Sequence, residues 1–292
     1  MPGYVRANVS AQIVDGRALG IKIQQEVSER VSLLKEQGVV PHLAVVIAGE
    51  DPASHVYVRN KERACDRCGI ISTRIDMPGS SNLKEILEVV SALNSDSNIH
   101  GILVQSPAPD GVDELAIASS ILPRKDVDGF NPVNLGKLVQ GQVGGLMPCT
   151  PSGVMRMLKS SGIKTRGARA VVLGRSRIVG MPMALMLAQP GCDASVTVVH
   201  SKTEGIASIC NQADILIAAV GRPHMVEKGW VKHGAFVVDV GISRVEGGLA
   251  GDVSPEVSEV AGWITPVPGG VGPMTIAMLM ENTLRAAEMQ LV

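Results

Sequence analysis

The sequence predicts an α/β protein made of two α/β domains, and three observations predict it. The chain has 292 residues, a length that suits two domains. Short apolar runs alternate with amphipathic stretches throughout, the pattern of parallel βαβ units. A stretch rich in Gly, Pro and Asn at 126–148 interrupts the alternation, and a second βα series follows it.

Apolar residues recur at helical spacing from Leu19 through Ile23, Val27, Val31 and Leu34, and Gly38 stops that helix. The apolar run 42–48 reads as a buried strand. Asp51-Pro52 then reads as an N-cap followed by proline at the first helical position, with the helix running to 68 and Gly69 ending it. A strand at 70–75, a helix at 83–93 and a strand at 101–105 follow. The stretch 126–148 is expected to be loop, and Thr150-Pro151 opens the next helix as cap plus proline. Strands are expected at 170–173, 195–199, 215–219, 236–240 and 263–265. A Gly/Pro turn then leads into a last helix at 274–289. The predicted domains are 1–147, completed by a returning C-terminal segment 273–292, and 148–272.

Hydrophobic residues make up 45% and charged residues 19%, which supplies a core and excludes disorder. The net charge is −1 with no basic block, and only 2% of residues are aromatic. That composition lacks both the cationic footprint and the stacking platform of a nucleic-acid binder. Residues 1–16 have no apolar signal core, and no run is long enough to span a membrane. A cytoplasmic protein without a membrane partner is expected. Five cysteines, Cys65, Cys68, Cys149, Cys192 and Cys210, are an odd number spread along the chain, as free thiols in a reducing compartment would be. Cys65-x-x-Cys68 has no second Cys or His pair, so it reads as two small side chains on one helix, and no metal is expected.

The run Val171-Val172-Leu173 enters Gly174-Arg175-Ser176-Arg177-Ile178-Val179-Gly180-Met181-Pro182. Strand, glycine turn and helix in this order aim backbone N–H groups and a helix N-terminus at phosphate. Position 176 is Ser, so the G-x-G-x-x-G fingerprint is incomplete, and an ordinary tight turn before a helix would read the same way. An NAD site usually carries Asp or Glu at the end of the following strand, for the ribose hydroxyl. Here that strand ends in His200-Ser201-Lys202-Thr203. Ser201 can donate to a 2′-phosphate, and Arg175, with Arg177, can add charge-assisted bonds. The pattern favours NADP over NAD on a Rossmann-like domain, against the plain alternative of solvated surface groups. Gly221 and Gly241 follow predicted strands, where glycine lets a ligand approach the backbone.

Tyr57 and Lys61 are four apart on the helix opened by Pro52 and share a face. Y-x-x-x-K also occurs in short-chain dehydrogenases, but there it follows the cofactor strand, whereas here it precedes it. By itself a helical Lys is usually a solvated one. Val104-Gln105-Ser106-Pro107-Ala108-Pro109 ends a strand, Lys125-Asp126-Val127-Asp128-Gly129 lies in the loop beyond, and Pro148-Cys149-Thr150-Pro151 starts a helix. The turn Thr265-Pro266-Val267-Pro268-Gly269-Gly270-Val271-Gly272-Pro273 closes the second series. Together with the Gly174 turn, these strings resemble the methylenetetrahydrofolate dehydrogenase/cyclohydrolase family, in order and over nearly the whole chain.

The resemblance implies two α/β domains flanking a cleft, a homodimer, NADP as cofactor and a folate substrate. It implies that Lys61 is the central catalytic group, supported by Gln105, that Tyr57 stacks on the aminobenzoyl ring and that Asp128 holds the pterin. Ser54, Pro107, Gly269, Gly270 and Pro273 would complete the substrate site. Gly174, Arg175, Ser176, Ile178, Val179, Ser201, Gly221, Gly241, Ile242, Thr150 and Thr283 would bind the cofactor, with Arg175 and Ser201 on the 2′-phosphate. The chemistry expected is oxidation of methylenetetrahydrofolate followed by hydrolysis of the methenyl product. The alternatives are a dehydrogenase without cyclohydrolase activity, another two-domain dehydrogenase acting on a carboxylic acid, and a non-catalytic NADP-binding protein. Ser106 and Ala108 stand where the family usually has Leu, which predicts a looser wall beside the folate.

Overall fold

The computed structural model describes residues 10–49 and 52–291, with backbone only for 52–54. Asp51, the expected cap, and the side chain of Ser54 therefore lie outside the described residues. In chain order the elements are β1 (Gln12–Ile13), α1 (Gly16–Glu36), β2 (His42–Ala48), α2 (Pro52–Cys68), β3 (Ile71–Met77), α3 (Leu83–Ser95), β4 (Gly101–Val104), α4 (Glu114–Ser120) and α5 (Pro132–Val139). They continue with α6 (Cys149–Ser160), β5 (Arg169–Leu173), α7 (Gly180–Ala188), β6 (Ser195–Val199), α8 (Ile206–Cys210), β7 (Ile215–Ala218), β8 (Phe236–Asp239), β9 (Ser243–Val245), β10 (Gly248–Ala250), β11 (Trp263–Ile264) and α9 (Val271–Met289). The chain divides into two units, one of residues 20–149 with 275–292, the other of residues 1–19 with 150–274.

The first unit carries a parallel sheet in the order β3-β2-β4. β2 is its centre, and Leu43 to Ile47 are all buried, as a strand covered on both faces requires. Ala44, Val46 and Ile102 of the sheet pack with Ile86 and Val90 of α3 and Ile117 of α4. A capping box starts α3, in which the Glu85 N–H donates to Asn82 Oδ1 and the Asn82 N–H donates to Glu85 Oε2. Lys125, only 1% exposed, closes the other end. Its amine donates to the carbonyls of Leu93 (3.0 Å), Asn94 (2.9 Å) and Asp96 (2.7 Å), which a helix leaves unpaired at its last turn. Cys65 and Cys68 are both fully buried on α2, as two small side chains on one helix.

The second unit carries a parallel sheet in the order β1-β11-β8-β7-β5-β6. β5 pairs with β6 on one side and β7 on the other, so the strand order reverses at β5, where open α/β sheets bind ligands. β9 and β10 form an antiparallel hairpin beyond β8. No helix among the described residues is long and apolar enough to cross a membrane.

Three expectations change. β1 pairs with β11 in the second unit, although residues 1–147 were expected to form the first domain. A two-residue edge strand carries too little pattern to be placed before its partner is known. Within 126–148, expected as loop, α5 is a helix: Asn131 accepts from the Val133 N–H at 2.8 Å and Pro132 takes the first helical position. Asn-Pro is the cap-plus-proline signal expected at 51–52 and 150–151, hidden here among glycines; at 150–151 the helix starts earlier, at Cys149, so Thr150 lies inside it and is not its cap. The β9–β10 hairpin and the short helices α4 and α8 have no expected counterpart, being shorter than a readable period.

Candidate active site

In the first unit α2 presents Tyr57 and Lys61, and the chain leaving β4 presents Gln105. The Gln105 N–H donates to Val46 O at 2.8 Å, extending the ladder one residue past β4. The Lys61 amine donates to Gln105 Oε1 at 2.8 Å. The Gln105 amide nitrogen donates to Ser106 O at 2.6 Å, which fixes the face that the amide turns to Lys61. Burial pulls the Lys61 amine below its ordinary range, and the charge of Asp128 opposes that pull. Burial pushes the Asp128 carboxyl up to about 6, against the attraction of Lys61. The two groups thus move toward neutrality together. Tyr57 is 37% exposed, and the burial of its remainder raises its hydroxyl.

The K-D-V-D-G string divides its labour. Lys125 holds the end of α3. Asp126 accepts from the N–H of Phe130 (3.1 Å) and Asn131 (2.8 Å) and from Asn134 Nδ2 (2.8 Å), so its carboxylate is consumed by the turn. Val127 is fully buried. Asn282 of α9 donates to Val127 O and Met147 O, both at 2.8 Å, bracketing Asp128 between two anchored segments. The Cys149 thiol donates to Val127 O at 3.2 Å, and burial raises it well above its usual range. It is a packing thiol, not a nucleophile.

The chain after β4 is tied back at Ser106 and Ala108. The Ser106 hydroxyl donates to Glu114 Oε1 at 2.6 Å, and the Ala108 N–H donates to the same oxygen at 3.0 Å. Glu114, at the first turn of α4, ties the segment on either side of the exposed Pro107.

In the second unit β5 runs into Gly174, where a Cβ would overlap Ala219 O, so the turn passes close to the end of β7. Ser176 Oγ accepts from the N–H of Val179 (3.2 Å) and Gly180 (3.3 Å), and α7 begins there. Arg175, Ser176 and Ile178 are exposed on this turn, and Val179 is half-buried. After β6 the His200 N–H donates to Thr203 Oγ1 at 3.0 Å and the Thr203 N–H to His200 O at 2.8 Å. This closed turn leaves Ser201 exposed. Gly221, at φ +65, and the exposed Ile242 follow β7 and β8. Among the described residues no group of His, Cys, Asp and Glu is arranged to hold a metal.

The chain matches the model of the tetrahydrofolate dehydrogenase/cyclohydrolase catalytic domain over residues 14–128. Over residues 148–291 it matches the NAD(P)-binding domain of the same enzymes. It is 53% identical to the bifunctional protein FolD of Moorella thermoacetica over 279 residues, 95% of this chain and 99% of that one. It belongs to the tetrahydrofolate dehydrogenase/cyclohydrolase family.

Another family relative, the bifunctional protein FolD of Ligilactobacillus salivarius, is 50% identical over 95% of this chain and 97% of its own. The solved bifunctional methylenetetrahydrofolate dehydrogenase/cyclohydrolase of Campylobacter jejuni superposes with a TM-score of 0.93 at 46% identity, covering 96% of this chain and 99% of that one. The Trypanosoma brucei enzyme, solved with NADP and an inhibitor, gives 0.91 at 40% identity over 100% and 99% of the two chains. As a tetrahydrofolate dehydrogenase/cyclohydrolase, this chain is a bifunctional enzyme, an oxidoreductase and a hydrolase acting on the one-carbon forms of tetrahydrofolate.

Within this dehydrogenase/cyclohydrolase the structure brings Lys61, Gln105 and Asp128 into one electrostatic cluster of the first unit. Gly269, Gly270 and Pro273, expected at the substrate, belong to the second unit, as do Thr150 and the residues of the Gly174 turn. Two cofactor expectations are corrected. Thr283 is 0% exposed and its hydroxyl donates to Leu279 O at 2.8 Å, so it has no surface to offer a ligand. Gly241 is buried too, and a Cβ there would overlap the Asp252 carboxylate, not an incoming ligand. Sequence reasoning missed Glu114, Cys149 and Asn282. Only Cys149 had a signal, its place in P-C-T-P; the other two are recognisable only by what they touch.

Proposed function

We propose that Lys61 is the acid–base group of the hydrolytic step on the one-carbon bridge, with Gln105 orienting its amine, Asp128 holding the pterin and NADP accepting the hydride in the oxidative step. The observation that carries the reading is the 2.8 Å bond from the Lys61 amine to Gln105 Oε1, in a setting that depresses the amine. Asp128 as a carboxylate accepts from the pterin's amino and ring N–H groups, a two-point contact that sets orientation. Tyr57, with an exposed face, stacks on the aminobenzoyl ring. NADP, held by Arg175 and Ser201, would supply the oxidation when bound, as the acceptor of the hydride lost from the bridge carbon of methylenetetrahydrofolate, whose product is the methenyl cation. The positive charge of that cation lowers the Lys61 amine further.

In the hydrolytic half, neutral Lys61 takes a proton from water as the water oxygen bonds to the methenyl carbon. Lys61 returns that proton to the ring nitrogen N5 as the C–N5 bond breaks. The hydroxyl proton leaves to solvent as the formyl C=O forms, so formyltetrahydrofolate appears with one net proton. Arg175 and Ser201, both exposed and with no carboxylate among 200–203, suit a 2′-phosphate, which supports NADP over NAD. A cytoplasmic homodimer is part of the same reading.

The test is a spectrophotometric assay with methylenetetrahydrofolate and NADP that follows NADPH and the methenyl product separately. NADPH without methenyl accumulation, together with hydrolysis of added methenyl substrate, is the expected result. NADPH with persistent methenyl would reduce the chain to a dehydrogenase.

A further inference from the structure

Two buried carboxylates stand at the C-terminal ends of β7 and β8, and the reaction above uses neither. Asp252, 0% exposed, follows the β9–β10 hairpin, and Asp239, 4% exposed, ends β8. One Asp252 oxygen accepts from the N–H of Val220 at 2.6 Å and of Gly221 at 3.1 Å; the other accepts from Arg222 at 2.7 Å. Asp239 accepts from Gly241 (3.1 Å) and Asp252 (2.8 Å) on one oxygen and from Val253 (2.9 Å) on the other. Each carboxylate therefore receives three backbone N–H bonds, and the second holds the backbone that carries the first. The Asp239 N–H in turn donates to Thr265 Oγ1 at 2.8 Å. A Cβ on Gly241 would overlap the Asp252 carboxyl, and one on Gly251 would overlap that of Asp239, so both glycines make room for these groups.

Three successive N–H groups converging on one point form an anion-binding nest. In residues 220–222 the anion is built into the chain. We propose that Asp252 is a positioning residue for NADP: it fixes the segment 220–222 after β7 in the shape that meets the cofactor, and Asp239 holds Asp252 in place. The proposal rests on the assignment of Gly221 and Ile242 to the cofactor. A charge-assisted acceptor shared by three donors orders the segment before the cofactor arrives, so binding does not have to order it. An ordinary structural role would instead show as a loss of folding with no selectivity for the cofactor.

The experiment compares Asp252→Asn and Asp252→Ala with the unaltered enzyme. Asn keeps the size but sets an N–H₂ group against backbone donors; Ala empties the nest. Measured are KM for NADP and kcat of the dehydrogenase, hydrolysis of added methenyl substrate without NADP, the thermal transition, and the same kinetics with added formate. The expected result is a rise of about tenfold or more in KM for NADP in both variants. Saturating NADP recovers most of kcat, and formate lowers KM again in the Ala variant while leaving the unaltered enzyme unaffected. An unchanged KM in a folded variant overturns the proposal. So does parallel loss of both activities and of the thermal transition without recovery by formate. If the unaltered chain does not turn NADP over, the cofactor assignment fails first and takes this proposal with it; an unchanged KM in an active chain sinks the proposal alone.

Discussion

The Lys61 amine and the Gln105 side-chain oxygen, 44 positions apart in the chain, meet at 2.8 Å. A helix face and a strand end supply one group each, and Ser106 O holds the amide so that its oxygen, not its nitrogen, faces the amine. One amine proton is committed to Gln105, so when Lys61 is neutral its lone pair is aimed away from that oxygen, free to take a proton from water. Lys61→Met should lower hydrolysis of methenyltetrahydrofolate by about 10²–10⁴-fold, the usual worth of a general base. NADP binding, read by fluorescence titration, should survive. Unchanged hydrolysis in that variant would remove Lys61 from the chemistry.

Asp128 offers a pH signature. Its carboxyl is pushed up to about 6, so acidification through that value protonates it and removes one acceptor from the pterin. KM for the folate substrate should rise below about pH 6, and Asp128→Asn should abolish that limb while raising KM at pH 8. The linked effect on stability has the opposite sense. Because the folded state holds this proton more tightly than the unfolded chain, its burial costs stability above the folded value, and the cost fades as pH falls toward 4. Asp128→Asn should therefore raise Tm at pH 8, with the gain vanishing in acid. A stabilisation that persists at pH 4 would assign it to something other than ionisation.

Cofactor choice should respond to Arg175. Replacing it with Ala removes one charge-assisted contact to the 2′-phosphate, about a ten- to hundredfold effect on KM for NADP. NAD, which has no phosphate there, should lose far less. Equal losses for both would put the 2′-phosphate elsewhere.

Lys125 makes a prediction about folding alone. The residue is 1% exposed, its amine satisfies three carbonyls at the end of α3, and Lys125→Met keeps the volume while orphaning them. Denaturant unfolding should show a loss of about 2–4 kcal/mol. A loss below half a kcal/mol would mean that water replaces the amine at no cost, and that the residue is not what holds this turn.

The periodic elements were legible in the sequence because each carries its own signal. Leu43 to Ile47 are a run too apolar to lie anywhere but inside a sheet. Ile23, Val27, Val31 and Leu34 mark the buried face of α1. The turn at Gly174, and Tyr57 with Lys61 on one helix face, follow from local spacing. Elements shorter than one period escaped: β1 acquires meaning only from β11, and the β9–β10 hairpin only from its return to β8. The family resemblance implies Thr283 at the cofactor, and its burial inside α9 is a property of what packs around that helix.

The sequence by itself determined the α/β class, the division into two series of strands and helices, and the glycine turn after β5, since backbone periodicity and turn chemistry are local. The tertiary structure alone decided which polar groups are spent on the fold and which are left for function. Asp126 and Asp128 differ by two positions and share a side chain, yet three donors consume the first carboxylate while the second lies in the field of Lys61. Asp252 carries no signal in the sequence, and only the fold shows its three backbone donors. A buried polar group must find its partners or forfeit its hydration. Those partners come from segments distant in sequence, so only the folded chain says which they are.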